Sequence, residues 1–302
     1  MTHIQQVHWE LEMDYIGHPY YVSGNAIMHA LGQQLPHKEH RQLHASHGIF
    51  VPGQFGTFPG EHSMDGCRPH LGSSLPDVET YNDLFLFRNP FQRWLLDSRP
   101  RDALNTHDLR IQSGHPVLAH ETILDKPEGA RKDKQTTKWY VNAYLHADHD
   151  DVLPLEEHTL DGLQFGGKRN YGYGITRLKD TQIVDLTALD YSQLEEVDAV
   201  LLEFVTPFVL ETTYPDADDQ GVPWWWDEDR NNFREREEKL VEQREEYRLQ
   251  TVDHGQVVEY AGNRPVATAR NGICRVGSHS KCGFGEIRVV PVEQNRHSRN
   301  IE

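Results

Sequence analysis

Cysteine is scarce in this chain, and long apolar runs are missing. The three cysteines, Cys67, Cys274 and Cys282, are odd in number and form no C-x-x-C pair, so the sequence predicts neither a disulfide framework nor a zinc ribbon. No stretch of about 18 apolar residues occurs, and the first residues lack the apolar centre of a signal peptide. We therefore expect a cytoplasmic protein in a reducing compartment, outside any membrane.

Lysine is also scarce. The chain has nine lysines, so 21 of its 30 basic residues are arginine, and 47 acidic residues give a formal net charge of −17. Nucleic-acid-binding proteins are usually basic. However, an acidic, lysine-poor surface that keeps its arginines is typical of a salt-rich cytoplasm, such as a haloarchaeal one, where a local basic patch suffices to contact phosphate. The alternative is an ordinary acidic cytosolic protein.

The first half of the chain has the pattern of a β-α-β unit. Apolar and polar residues alternate in part over residues 4–16, which predicts a strand, and Ser23 can cap a helix that continues to about Leu35. Residues 48–135 are rich in glycine, proline and aspartate, which indicates long loops. The alternation returns at residues 139–145 and predicts another strand.

The second half repeats this order weakly. A helical pattern at residues 153–165 ends the first half, and an apolar strand at residues 197–215 opens the second. Residues 224–250 alternate in charge sign, which predicts a solvated helix. A strand is predicted at residues 255–263 and a last strand at the C-terminal end. Each half therefore runs strand, helix, strands, glycine-rich loop and strand, with a boundary near residues 180–197.

Two glycine-rich segments, residues 166–174 and 277–285, lie near the ends of the two halves. Both read as a glycine, a short polar and basic stretch, then glycine, an aromatic residue and glycine. Glycines let the backbone turn with positive φ and expose N–H groups, and the basic side chains supply charge for phosphate. The predicted RNA-binding residues are Gly166, Gly167, Lys168, Arg169, Tyr171, Gly172, Gly174, Gly277, Ser278, Ser280, Lys281, Gly283 and Gly285. The alternative is a pair of hairpin turns without a ligand.

These segments resemble the glycine-rich loops of the RAMP superfamily, the repeat-associated proteins of class 1 CRISPR effector complexes. The first, GGKRNYGYG, resembles the loop that closes the first domain of large type III subunits. The second, VGSHSKCGFGEIRV, resembles the loop that closes their last domain and that of CRISPR repeat-processing endoribonucleases. Two further segments, YYVSGNAIMHAL and FVTPFVLE, are similar to the starts of a first RAMP helix and of a second RAMP domain.

The resemblance implies an α+β protein of two ferredoxin-like domains, each an antiparallel sheet with helices on one face and a glycine-rich loop near its end. The domains would cover residues 1–185, with an insertion at about 50–135, and residues 195–292, followed by a frayed tail at 293–302. It also implies a non-catalytic subunit in antiviral defence, near the 5′ end of the guide. The implied partners are guide RNA and other effector subunits, and no cofactor is expected.

Four histidines, His37, His40, His44 and His47, recur at spacings of three, four and three. In a helix from Pro36 to Gly48 they would share one face. Three interpretations stay open: a solvated polar face, a metal site of a metal-dependent hydrolase, or a metal-independent endoribonuclease. For the last, the resemblance implies His44 as general acid/base towards a ribose 2′-OH. Its candidate partners nearby in sequence are Tyr20, Tyr21 and Lys38.

Three further clusters carry weaker signals. The most basic stretch consists of Arg131, Lys132, Lys134 and Lys138, followed by Trp139 and Tyr140. It fits single-stranded RNA, with phosphates on the cations and bases on the rings, or equally a loop before a buried strand. A partner interface or core edge is favoured for Trp224, Trp225 and Trp226, over a stacking platform. An acidic loop is favoured over a metal site for His146, Asp148, His149 and Asp150.

Overall fold

The structure, a computed structural model, describes residues 3–13, 15–18, 21–52, 74–88, 139–149, 151–195, 197, 199–215, 234–242 and 245–292. Most of the predicted insertion lies outside these residues. The described elements form an α+β protein of antiparallel sheets with few helices. None of the described helices is long and apolar enough to cross a membrane.

Strands outnumber helices among the described elements. The strands are β1 (His3–Leu11), β2 (Tyr21–Val22), β3 (Leu43–Ala45), β4 (Gly48–Pro52), β5 (Trp139–Ala147), β6 (Thr176–Asp185), β7 (Val200–Phe204), β8 (Phe208–Thr212), β9 (Glu235–Glu242), β10 (Glu245–Val252), β11 (Val257–Glu259) and β12 (Ile287–Pro291). The helices are α1 (Gly24–Leu31), α2 (His37–Gln42), α3 (Glu157–Leu160), α4 (Ser192–Glu195) and α5 (Pro265–Ile273).

The first half forms one sheet in the order β2-β4-β5-β1-β6, with the short strand β3 also paired to β5. All its pairs are antiparallel. Alternate residues of β1 face opposite sides, so Val7 and Trp9 join the apolar cluster that contains Ile27 and Leu31 of α1. The Trp9 indole N–H donates to the Leu160 carbonyl at 2.7 Å, which fixes α3 on the same face.

The predicted helix α1 is confirmed, and its start is set by a cap. The Ser23 hydroxyl accepts a hydrogen bond from the Ala26 N–H at 3.2 Å, satisfying a donor that the first helical turn leaves open. The strand predicted around residues 139–145 is likewise confirmed as β5, and the one predicted over residues 4–16 forms as β1 but ends at Leu11. The helix predicted over residues 153–165 is wrong in extent, because only the single turn α3 forms.

The second half forms two three-stranded sheets, β11-β7-β12 and β8-β10-β9. Helix α5, which the sequence reading missed, connects β11 to the glycine-rich loop before β12. Its start carries a recognisable signal, because Pro265 occupies the first helical turn, where a missing N–H costs nothing. The apolar cluster of this half continues into the first sheet through Ile4 and Tyr144, so the two halves share one core.

The predicted helix over residues 224–250 is wrong where the structure describes it. Residues 235–252 are the antiparallel pair β9 and β10, and residues 224–233 lie outside the described part. The alternating charges pair across the hairpin, as Lys239 does with Glu246 at 2.6 Å. Between these charged residues, Leu240 and Leu249 point inward and pack on Phe284. The apolar residues of this segment therefore recur with the period of a strand.

The spacing of the four histidines predicted a single helix, and this prediction is also wrong. Helix α2 ends at Gln42, His44 lies in β3, and His47 lies in the turn before β4. The reason is burial: Leu43 and Ala45 are fully covered in the first apolar cluster, with strand pairing to β5. The four imidazoles therefore do not share a helix face.

A fully buried ion pair holds the two halves together. The Arg88 guanidinium donates to both carboxylate oxygens of Glu286, the Nε contact measuring 2.8 Å. It also donates to the carbonyls of Asn142 at 2.9 Å and His47 at 3.0 Å. Both charged side chains are 0% exposed. One arginine thus connects the segment 74–88, the first sheet and the start of β12.

Removing Arg88 should destabilise the protein far more than removing an exposed cation. Arg88→Met leaves the Glu286 carboxylate buried without its partner, so we expect a loss of about 3–5 kcal/mol in the free energy of unfolding. Lys239→Met, which breaks the exposed pair with Glu246, should cost at most about 1 kcal/mol. Urea unfolding followed by circular dichroism measures both. Equal losses in the two variants would contradict this role of the pair.

Candidate functional site

The two glycine-rich loops have the same backbone conformation, residue for residue, 111 positions apart. In residues 166–174, which we call the first loop, φ is positive at Gly166 (79°), Lys168 (54°), Gly172 (86°) and Gly174 (71°). In residues 277–285, the second loop, it is positive at Gly277 (88°), His279 (60°), Gly283 (103°) and Gly285 (79°). Both contain a three-residue 3-10 turn between left-handed residues.

Matching hydrogen bonds close both loops. The Phe165 N–H donates to the Gly174 carbonyl at 3.0 Å, and the Val276 N–H donates to the Gly285 carbonyl at 2.9 Å. A Cβ atom at either of these last glycines would collide with the backbone of the residue that it pairs with, which explains why glycine stands there.

An aromatic ring covers the first glycine of each loop. Tyr15 lies on Gly166 and Phe208 lies on Gly277. Both rings come four residues after the end of the strand that opens their half, β1 or β7. Each half therefore contains an opening strand, an aromatic ring four residues beyond that strand, and a loop with this pattern of positive φ angles.

The first loop exposes an aromatic side chain to solvent, beside two half-buried cationic residues. Tyr171 is 72% exposed, and the Lys168 ammonium lies 5.9 Å from the centre of its ring. Arg169 lies close enough to His29, on α1, to lower the pKa of that imidazole, although partial burial lowers it more. This loop therefore carries an exposed ring with a cation beside it.

The second loop is instead packed against the first half of the chain. Gly24, at the start of α1, touches the Cys282 carbonyl, and Gly283 touches the His47 ring. The Lys281 ammonium donates to the Asp148 carboxylate and to the Arg41 carbonyl, each at 3.2 Å. The loop sequence is thus partly used for an internal contact.

His44 lies at this contact, on β3 opposite His146 of β5. Its Nε2 atom is 2.9 Å from the Asp148 carboxylate, so the neutral ring donates there. Its Nδ1 atom is buried and has no hydrogen-bond partner among the described residues. Burial lowers the pKa of His44, against the opposing effect of Asp148. The His44 side chain is 9% exposed, whereas that of Asp148 is 36% exposed.

His146 is held as a neutral ring beside a cation. The Arg275 guanidinium donates to its Nδ1 atom at 2.6 Å and to the Ser280 carbonyl of the second loop at 2.8 Å. The rings of His44 and His146 lie 4.4 Å apart between centres. Burial first, and Arg275 second, hold the pKa of His146 far below its usual range.

The sequence reading placed only some of these residues correctly. It named His44, His146, Asp148 and Lys281 in separate clusters, and the fold brings them together. It missed Arg275 and Arg88, because a buried arginine that bonds carbonyls across the fold leaves no local pattern. Tyr21 stacks on His47, with ring centres 4.2 Å apart and nearly parallel planes, rather than on His44. His40 bonds the Met28 carbonyl, at 2.8 Å.

Several predicted residues cannot be placed in this site. Lys38 lies on α2, and no contact joins it to His44. Tyr20, Asp150, Arg131, Lys132, Lys134, Lys138 and Trp224, Trp225 and Trp226 lie outside the described residues. Trp139 and Tyr140, which follow the basic stretch, are buried in the sheet. Within the described ranges, no three His, Cys, Asp or Glu side chains are grouped to hold a metal ion.

Comparison with known proteins gives remote similarities. No family model matches the chain, and no curated protein matches it. A solved structure described as CRISPR associated protein Cas6 has a TM-score of 0.38 and 9% identity, covering 97% of this chain and 100% of that chain. A Cas6-related protein from Pyrococcus furiosus has a TM-score of 0.39 and 9% identity, covering 96% and 98%.

A third similarity is to a chain of the type III-B Cmr-beta complex bound to cognate target RNA. Its TM-score is 0.27 at 11% identity, covering 85% of this chain and 86% of that chain. All three TM-scores lie below 0.5, so these similarities assign no function to this chain.

Acid should weaken this protein through His146. Its pKa in the folded protein lies far below the usual histidine value of about 6.5, so below about pH 6.5 the unfolded chain binds a proton that the folded protein does not. Stability is therefore complete above that pH and declines as the pH falls, by up to about 1.4 kcal/mol per pH unit for this group.

Urea unfolding between about pH 5 and pH 7 measures this decline. His146→Gln keeps an acceptor for Arg275 and removes the proton site, so the pH dependence should become shallower. His158→Gln, at an exposed position, should leave it unchanged. The same slope in wild type and His146→Gln would show that His146 is already protonated in the folded protein or does not titrate in this range.

Proposed function

We propose that this chain is an RNA-binding protein of the RAMP type, the guide-RNA-binding subunit of a class 1 CRISPR effector complex, acting with the other subunits of that complex. The observation that carries this proposal is the repeated loop, with one backbone conformation at the end of each half. Such loops expose N–H groups beside basic side chains, which suits RNA read through phosphate and 2′-OH more than through base edges.

The order of the sheets supports the proposal. Without the two-residue strand β2, the helix α2 and the three-residue strand β3, the first half runs β1, α1, β4, β5, α3 and β6, which is β-α-β-β-α-β, and the strands lie in the order β4-β5-β1-β6. This is the ferredoxin-like arrangement. In the second half, β7, β11, α5 and β12 supply three strands and one helix of the same plan, while the sheet β8-β10-β9 takes the place of the other helix.

A binding role without cleavage fits the position of His44. A general acid or base must come within about 2.6–3.2 Å of the proton that it transfers. The His44 ring is 9% exposed, and its outward nitrogen is bonded to Asp148. In this arrangement the imidazole helps to hold the second loop on the sheet, and Asp148 occupies the nitrogen that a ribose 2′-OH would have to reach.

The competing candidate is a metal-independent endoribonuclease, which the grouping of His44, Asp148 and Lys281 favours. If Asp148 turned away, neutral His44 could take the proton of a ribose 2′-OH while Lys281 contacted the phosphate. The 2′ oxygen would then bond to the adjacent phosphorus, and the bond to the 5′ oxygen would break as that oxygen took a proton from solvent water. The burial of His44 lowers its pKa, so the imidazole would be neutral for the first step.

Purification in high salt, followed by extraction of bound nucleic acid and a cleavage assay on CRISPR repeat RNA, separates these functions. We expect bound RNA that stays intact, and equal RNA affinity in wild type and His44→Ala. His158→Ala is the matched control at an exposed histidine. Cleavage that disappears in His44→Ala alone would establish the endoribonuclease. Absence of both binding and cleavage at every salt concentration would overturn the RNA-binding proposal.

A further inference from the structure

The two loops share a conformation but differ in what surrounds them. In the second loop, the backbone at Gly283 is covered by the His47 ring, and the Cys282 carbonyl is covered by Gly24. At the equivalent position of the first loop, a side chain on Gly172 would meet nothing among the described residues closer than the Ile175 methyl group, at 4.0 Å. The same hollow is therefore filled in one loop and open in the other.

The charged side chains that fasten the second loop to the first half are replaced by uncharged ones in the first loop, where Gln164 bonds the Arg169 carbonyl at 3.2 Å as Arg275 bonds that of Ser280. Arg275 and Lys281 attach the second loop to His146 and Asp148. At the equivalent positions, 111 residues earlier, stand Gln164 and Asn170, which carry no charge. The first loop is therefore not equipped to dock on a protein surface like the one that the second loop occupies.

In their place the first loop carries a ring and two cations. Lys168, Arg169 and Tyr171 stand where the second loop has His279, Ser280 and Cys282. The Tyr171 ring is 72% exposed, and the Lys168 ammonium is 5.9 Å from its centre. An exposed ring beside cations suits a nucleotide, because the base can stack on the ring while the phosphate meets the cation. Only an unpaired base can leave its own stack to do so.

We propose that the two equivalent loops have divided their roles, and that the first loop binds one nucleotide of single-stranded RNA, with its base on Tyr171 and its phosphate at Lys168 and Arg169. The second loop is then an internal joint between the two halves. This inference rests on the proposed RNA-binding function and deepens it by naming the loop and the form of RNA.

Fluorescence anisotropy with a labelled single-stranded RNA and with its duplex tests the inference. Tyr171→Ala should weaken single-strand binding roughly five- to a hundred-fold, since that is the range for loss of one stacked base, and Tyr171→Phe should retain it. Arg169→Gln should make the negative slope of log affinity against log salt less steep by about 0.7, the value for one phosphate contact on a single strand.

Two controls separate binding from folding. Arg177→Gln removes an exposed arginine outside the loop, which is paired with Glu12 on the sheet, and should leave the affinity unchanged. Arg275→Gln should lower the thermal midpoint, because it releases the second loop from His146. Below that midpoint it should bind single-stranded RNA as wild type does.

The outcomes also separate this inference from the function on which it rests. If wild type binds RNA and Tyr171→Ala binds it equally well, the division of roles is wrong and the RNA-binding function stands. Equal loss of single-strand and duplex affinity would overturn the stacking of an unpaired base. If Tyr171→Ala instead abolishes self-association in size-exclusion chromatography, with RNA affinity unchanged, the first loop docks a second copy. If wild type binds no RNA, the function itself fails.

Discussion

The buried ion pair between Arg88 and Glu286 is the interaction on which the rest of this structure depends. A charge in the interior is tolerated only when it is paired and its remaining hydrogen bonds are satisfied. Arg88 meets this requirement by bonding Glu286 and the carbonyls of two residues in the first half. Because Glu286 directly follows the second loop, the same contact fixes where that loop meets the sheet.

A second layer of polar contacts follows from this placement. Once the second loop lies against β3 and β5, Lys281 reaches Asp148, and Arg275 reaches His146. His44 and His146 are then enclosed between the halves, where burial favours their neutral forms. These histidine, aspartate, lysine and arginine side chains are of the types found in catalytic sites, and here they hold the two halves together. The first loop has a matching backbone conformation but does not join the two halves, so its surface is accessible.

The sequence was informative where a pattern is local. The alternation in β1 and β5, the Ser23 cap of α1 and the glycine spacing of the loops all reflect constraints within a few residues, and each appears in the structure. The sequence wrongly predicted helices for the charged segment 235–252 and for the histidines at positions 37–47. Such residues can occupy both the exposed face of a helix and the exposed face of a strand. The burial of Leu43, Leu240 and Leu249 against elements distant in sequence makes these segments strands. The pairing of His44 with His146 and the Arg88 contacts join residues far apart in sequence, and no local pattern indicates them.

The most direct test of the account is ultraviolet crosslinking of the intact protein to single-stranded RNA in high salt, with the crosslinked residues identified by mass spectrometry. The account predicts crosslinks at Tyr171 and its neighbours in the first loop, and none at Tyr247, an aromatic residue on the hairpin β9–β10. Crosslinks concentrated around the second loop and His44, with none at Tyr171, would contradict it and would place the RNA at the joint.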